Sequence, residues 1–408
     1  MTALPTNRDE NWRYANLRPL ARARADNARA DNTRPELGPH DLNLPRSLDG
    51  FERWVFCDGR FVAANPSPDS RVQLLDARNA GESFAALLDA DLAAAGVDFS
   101  LARINAARGD QVVQIEVADD SPALQLELVF VATAPAASGT SYPRAQIVAG
   151  RNSRLTVIER HLTAGTGAAD ADTDSVINAA CDVSLRPGAV LEHIRVQCGG
   201  ARTSHFDTLI ANVGENATYR LRTTTLGGLT SRTTAFIKLA GRGARCEFGA
   251  AIVANGTQTH DMFVEIDHAA PETSTREIFR GIANDRGKLA FNGKMIVREN
   301  AHGADSDQSL RSLLTGAGAE AAARPQLEIY TDKVRAKHGA TTGKLDEQML
   351  FYLLSRGIDR PQAQALLQWA FIEDAVSLVP VPALRQEIEQ LIAARLNSVN
   401  SLGLVDLP

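Results

Sequence analysis

Gln111-Val112-Val113-Gln114-Ile115-Glu116-Val117 puts Val113, Ile115 and Val117 on one face of the chain and Val112, Gln114 and Glu116 on the other. A period of two marks a β-strand, because successive side chains of an extended backbone point to opposite faces. Upstream of this stretch the apolar spacing is closer to 3.6, and downstream of it short alternating runs recur as far as Thr342. Many of those runs begin just after a small turn: Pro187-Gly188-Ala189, Glu215-Asn216-Ala217, Arg242-Gly243-Ala244 and Arg286-Gly287-Lys288. With two turns allowed in the last interval they fall roughly 22 to 28 residues apart, the spacing of a solenoid coil. One coil is too thin to cover its own inward row of Ala, Val, Ile and Leu, and stacking coils makes that row continuous. The expected core is a β-helix over residues 111–343; a β-sandwich is the competing arrangement, since periodicity alone does not separate the two.

The flanks read differently. Residues 1–110 are expected to be mostly helical, with a hairpin where Trp54-Val55-Phe56-Cys57 and Arg60-Phe61-Val62 flank Asp58-Gly59, a pair suited to the positive φ angles of a type I′ turn. Phe84 to Ala95 is an Ala/Leu-rich helix closed by Gly96. Residues 344–408 turn helical again. Asp346 caps a helix that runs to Arg356 with Gly357 behind it, Asp359 and Pro361 start a second, and Leu384, Ile388, Leu391 and Leu396 mark one face of a third. Such a terminal bundle can cap the solenoid, dock a partner, or do both.

Composition narrows the class. The 408 residues are 44% hydrophobic and 23% charged, near globular averages, which disfavours disordered, collagen-like and membrane-spanning classes. Aromatic residues make up only 5%, so the core is built from small aliphatic side chains in thin layers. A net charge of −6 argues against a nucleic-acid partner for the chain as a whole. Cys57, Cys181, Cys198 and Cys246 show no C-x-x-C spacing, and with no apolar leader after Met1 a reducing cytosol is the expected compartment.

Familiar chemistry is scarce. Gly281 to Lys288 has one residue too many for a P-loop and Leu289 in place of Ser or Thr, Gly316-Ala317-Gly318 lacks the third glycine of a dinucleotide fingerprint, and there is no Gly-x-Ser-x-Gly elbow. In His260-Asp261-Met262-Phe263-Val264-Glu265-Ile266-Asp267-His268, alternation puts Asp261, Glu265 and Asp267 on one face and both histidines on the other. The simplest reading is a solvated outer face; the sharper one is a β-helical carbohydrate-active enzyme using those carboxylates. His338, in Lys337-His338-Gly339-Ala340-Thr341, sits among small residues that leave an imidazole open to a metal or a partner.

Asp267-His268, Phe279-Arg280-Gly281-Ile282, Gly287 to Lys294 and Gln308 together resemble the shared core of the SufB/SufD family of iron-sulfur assembly proteins. Pro325 to Tyr330, His338 to Gly343, Asp346-Glu347-Gln348, Phe351-Tyr352-Leu353 and Ser355-Arg356-Gly357 are more similar to the SufD branch than to the SufB branch. Asn11-Trp12-Arg13-Tyr14, the Asp58-Gly59 hairpin and Phe99 to Ala107 extend the resemblance over nearly the whole chain. It implies a right-handed parallel β-helix between helical ends, and a non-catalytic scaffold that pairs with a SufB-like subunit while a SufC-like ATPase docks on the C-terminal helices, aiding iron acquisition and nascent cluster formation. Asp346, Phe351, Tyr352, Arg356, Trp369 and Glu373 are the expected docking residues. In isolation the resemblance implies a homodimer through β-helix ends. It further implies a transient iron-sulfur cluster at the shared interface, with His338 as an imidazole ligand and no nucleotide bound by this chain. Some relatives carry Cys two residues before that histidine; Ala336 stands here, and no cysteine follows Cys246, so thiolate is expected from the partner.

Overall fold

The computed structural model describes residues 4–21, 38, 41–42, 44–66, 70–76, 97–133, 140–164 and 175–396. In chain order the strands are Glu52–Cys57 (β1), Arg60–Asn65 (β2), Val72–Asp76 (β3), Gln111–Val117 (β4), Leu124–Ala132 (β5), Thr140–Ser141 (β6), Arg144–Ala149 (β7), Arg154–Thr163 (β8), Ser175–Leu185 (β9) and Val190–Cys198 (β10). They continue with Thr203–Val213 (β11), Thr218–Thr225 (β12), Thr230–Leu239 (β13), Arg245–Ala254 (β14), Thr259–His268 (β15), Ser274–Ala283 (β16), Lys288–Val297 (β17), Ala304–Leu314 (β18), Glu320–Ile329 (β19) and Val334–Gly343 (β20). A 3-10 turn, Glu10–Trp12, precedes the helices Ser100–Arg108 (α1), Glu347–Ser355 (α2), Arg360–Val376 (α3) and Pro382–Arg395 (α4).

From β7 onward the larger strands alternate between two sheets. One runs β2-β1-β5-β8-β10-β12-β14-β16-β18-β20 and the other β19-β17-β15-β13-β11-β9-β7-β4-β3. Every pairing along the coils is parallel, and Val190, Thr218, Arg245, Ser274 and Asp305 stack in register. This is the parallel β-helix anticipated from the alternation, and it rules out the antiparallel sandwich.

The turns explain the stacking. Asn152, Gly188, Asn216, Gly243, Glu272 and Gly303 occupy one corner of successive coils, each with positive φ. Their backbones form a ladder: Gly188 N–H donates to Glu215 O at 2.8 Å, Asn216 N–H to Arg242 O at 2.8 Å, and Gly243 N–H to Pro271 O at 3.0 Å. Gly and Asn suit that corner because they enter the left-handed region at little cost. Arg286-Gly287-Lys288 lies on the opposite corner, where Arg286 N–H donates to Gly256 O. The turn that continues the first three is Pro271-Glu272-Thr273, so the long interval held two turns on different corners.

The inward row is apolar over most of its length, from Ile115, Leu126 and Val157 through Leu221, Phe248 and Val264 to Phe291 and Leu310. Both outer faces are covered as well. Ile372, Val376, Leu384, Ile388 and Ile392 of α3 and α4 pack on Ile158, Ile194, Val253 and Ile282 of the first sheet. Phe99 and Ala102 pack on Ile210, Phe236 and Phe263 of the second sheet, with Trp12, Leu20 and Leu101 on Val176 and Phe206 beside them.

The described residues of the N-terminal region are mixed. They hold three strands against one 3-10 turn, a short helical stretch ending at residue 21, and α1. β1 pairs parallel with β5 and so extends the first sheet of the β-helix upstream of residue 111. The β1–β2 hairpin is present, with Asp58 and Gly59 at φ 49° and 83°. The helix expected over Phe84 to Ala95 lies outside the described residues.

Candidate functional site

At the C-terminal end of the β-helix both sheets stop, β20 closing the first and β19 the second, and neither terminal strand has a further strand beyond it among the described residues. An edge strand carries unpaired backbone N–H and C=O groups, which template pairing with another chain. Pro325 sits in β19, where a missing N–H is tolerated at a sheet edge.

β20 pairs with β18, and His338 is the register partner of Gln308. Register partners on parallel strands share a face, so His338 continues the inward row that Gln308 occupies one coil earlier and Glu277 two coils earlier. Gln308 and Glu277 are buried, whereas His338 is exposed at the open end. Gln308 Nε2 donates to Glu277 Oε2 at 2.6 Å. Burial pushes the Glu277 carboxyl up to about 8 despite that hydrogen bond, because no cation among the described residues stands against it. Gly293 makes the arrangement possible: a Cβ there would run into Gln308 Nε2 and the Phe291 ring. The odd-numbered neighbours point outward and pair with the preceding strand, Lys337 with Asp307 and Arg335 with Asp305, each at 3.0 Å.

The helices that follow present a second exposed surface. Asp346 Oδ1 accepts from the Gln348 and Met349 amides, so this carboxylate caps α2. Leu350 is buried under α2, while Met349, Phe351 and Tyr352 are exposed, Phe351 at 72%. The Arg356 guanidinium lies 5.2 Å from the centre of the Tyr352 ring, and Gly357 closes the helix at φ +86°. Asp359 caps α3 through the Gln362 amide. Trp369 is half-buried against the outer cluster and Glu373 is exposed; its neighbour Asp374 pairs with Arg280 of β16 at 2.9 Å. His338 and the α2 surface are thus both near the end of the coil stack in sequence but belong to different elements.

Asp261, Glu265 and Asp267 share a face of β15 as the alternation predicted, but the face is not solvated: all three are buried. Asp261 pairs with Arg232, whose guanidinium also donates to Asn11 O at 2.7 Å and lies 4.5 Å from the Trp12 ring centre. Arg298 Nε donates to Asp267 Oδ1 at 2.9 Å, and Lys294 approaches Glu265 at 3.6 Å, where burial raises the carboxyl to about 7. The N-terminal segment lies over this sheet, which is why polar-out alternation here does not mean wet. Carboxylates spent on neighbouring cations do not make a hydrolase pair.

Glu277 escaped sequence reading, and Gln308 entered it only as part of a motif. The available signal was parity: a Glu at an inward position of an otherwise apolar row. Glu159 and His161 in β8 carry the same signal, beside apolar Leu155 and Val157.

Residues 130–371 match the family model described as SUF system FeS cluster assembly, SufBD core domain. Over 412 aligned positions the chain is 28% identical to the iron-sulfur cluster assembly protein SufD of Escherichia coli (strain K12), covering 97% of this chain and 90% of that one. It is 25% identical to an iron-sulfur cluster assembly SufBD family protein of Mycobacterium tuberculosis (strain ATCC 25618 / H37Rv), covering 98% and 91%. A SufBD family protein of Mycobacterium leprae (strain TN) is 32% identical over 47% of this chain and 50% of its own. With most of the coil stack inside the matched region, the chain belongs to the SufBD family of iron-sulfur cluster assembly proteins.

Proposed function

We propose that this chain is a non-catalytic scaffold of the SUF system, pairing with a SufB-like subunit through the open end of its β-helix. The observation that carries the reading is His338: an exposed imidazole on the inward face of β20, beside a backbone edge that no further strand among the described residues covers. A partner strand added to β20 satisfies that edge and brings the partner's side chains to the imidazole. The cluster is cargo at this junction. His338 supplies nitrogen, and the thiolates come from the partner, because Ala336 holds the neighbouring inward position. Without that partner, a second copy of this chain meets the same edge.

A SufC-like ATPase docks on the C-terminal helices, with Phe351, Tyr352 and Arg356 as its main contacts and Trp369 and Glu373 on α3 beside them. ATP hydrolysis belongs to that partner. Four free thiols fit a reducing cytoplasm, and none of the described helices is long and apolar enough to cross a membrane.

The test is reconstitution under anaerobic, reducing conditions. SufB-like and SufC-like chains are expected to co-purify, and His338→Ala is expected to lower bound iron and sulfide while leaving the complex assembled. Failure to associate ends the scaffold reading. Unchanged iron, sulfide and cluster transfer in His338→Ala removes the histidine from it. Charge reversal at Glu373 that leaves ATPase affinity unchanged in a pull-down titration counts against docking on α3.

A further inference from the structure

Far from the open end, with β12, β14, β16 and β18 between it and β20, the interior of the β-helix turns polar. Glu159 of β8, Cys181 of β9 and His193 of β10 are all buried, and one donor atom of each lies within 4.8 Å of the others. We propose that these three side chains bind a divalent transition-metal ion of borderline softness, zinc(II) or iron(II), independently of His338 and of the scaffold reading. One thiolate, one imidazole and one carboxylate suit such an ion and suit magnesium or calcium poorly.

The hydrogen bonds around the cluster favour a cation. His193 Nε2 is 2.9 Å from Glu159 Oε1, and its Nδ1 is 2.9 Å from the Tyr219 hydroxyl. With the proton on Nε2 it donates to Glu159 and Tyr219 donates to Nδ1, the ion-free state. With the proton on Nδ1, Tyr219 accepts it and two lone pairs face each other at Nε2 and Oε1, which a cation between them reconciles. Tyr219 then plays the usual part of the group that holds a ligating imidazole in one tautomer. Metal–nitrogen and metal–oxygen bonds of about 2 Å in tetrahedral geometry separate N and O by roughly 3.3 Å, so the pair opens by only a few tenths of an ångström.

Charge points the same way. Glu159 and Asp207 share one guanidinium: Arg195 Nε donates to Glu159 Oε2 at 3.0 Å and its Nη2 to Asp207 Oδ1 at 3.1 Å. Two buried carboxylates against one cation leave a surplus negative charge. Binding balances as a divalent ion plus Cys181 thiol giving a metal–sulfur bond and one released proton, which adds net one positive charge and evens the count. A second, independent feature is the pair His161 and His205, with ring centres 4.8 Å apart. His161 Nδ1 and His205 Nε2 are buried and have no hydrogen-bond partner among the described residues. Three protein ligands leave the fourth position of a tetrahedral ion to water, and free imidazole nitrogens nearby are suitable partners for it.

The cluster is sealed inside the coils, so the test loads metal while the chain folds. The full-length protein is expressed in minimal medium supplemented with cobalt(II), and in parallel with zinc(II) or iron(II), then purified anaerobically for metal analysis. We expect close to one equivalent and, with cobalt, a near-ultraviolet thiolate-to-cobalt charge-transfer band. Cys181→Ser is expected to lose the band while keeping the wild-type circular dichroism, and Cys57→Ser, at a cysteine of β1 outside the cluster, to keep both band and metal. The zinc and iron cultures decide which ion is preferred. Wild-type protein holding below about a tenth of an equivalent of all three metals overturns the site. So does wild-type cobalt protein without the band, or a band that survives Cys181→Ser. Since Cys57 is no part of the cluster, loss of the band in Cys57→Ser also overturns the proposal.

Discussion

Glu277→Gln isolates a single buried carboxyl. In the folded chain burial lifts Glu277 from 4.5 to about 8, and the one group that opposes the shift is the amide of Gln308. Between those two values the folded state keeps a proton that the unfolded chain gives up, so unfolding releases a proton and stability falls as pH rises. The contribution is fully present below 4.5, is lost progressively up to about 8, and is flat above. At about 1.4 kcal/mol per pH unit, the loss between pH 5 and pH 8 is about 4 kcal/mol. Gln at position 277 still offers an oxygen to Gln308 Nε2 but carries no titrating proton. Urea unfolding of both proteins from pH 5 to pH 9 is therefore expected to show the variant gaining on the wild type by that amount, with the gain levelling near pH 8. Taking the difference cancels other raised carboxyls, among them Asp182 at about 6 and Glu192 at about 7. A difference constant to within about 1 kcal/mol across the range refutes the reasoning, since Glu277 then titrates alike in both states.

Arg160→Ala removes the guanidinium that joins Glu127, at 2.6 Å, to Glu387 of α4, at 2.6 Å and 2.9 Å. Arg53 still neutralises Glu127, so the expected cost is about 3 kcal/mol, the low end for a broken buried pair, with faster amide exchange in α4 as its signature. Gly293→Ala pushes a methyl into Gln308 Nε2 and the Phe291 ring, and overpacking of about 2 kcal/mol is expected in chemical unfolding; wild-type stability would mean the row relaxes freely. Phe351→Asp, on a side chain 72% exposed, is expected to change stability by less than about 0.5 kcal/mol and to weaken binding of a SufC-like ATPase by about tenfold or more in calorimetry.

Much of the fold was legible because its determinants are local. Alternation from Gln111 onward, Gly and Asn at left-handed corners, Asp58-Gly59 in the hairpin, and Asp346 and Asp359 at helix starts each act within a few residues. The candidate site was legible only in part. His338 stood out by its small neighbours, but its alignment with Gln308 and Glu277 depends on coil length, because register partners lie a full coil apart in sequence.

By itself, then, the sequence determined that coils form, where they turn and which side chains point inward, since these follow from backbone sterics and a period of two. Only the tertiary structure decided which outward faces stay wet. Asp261 is dry because Trp12 and the N-terminal segment lie over its partner Arg232, and Arg160 meets Glu387 across more than two hundred residues. It also brought Glu159, Cys181 and His193 together from three consecutive strands. Parity assigns a side chain to a face, but the free energy of a charge on that face depends on what covers it, and covering is a contact between segments distant in sequence.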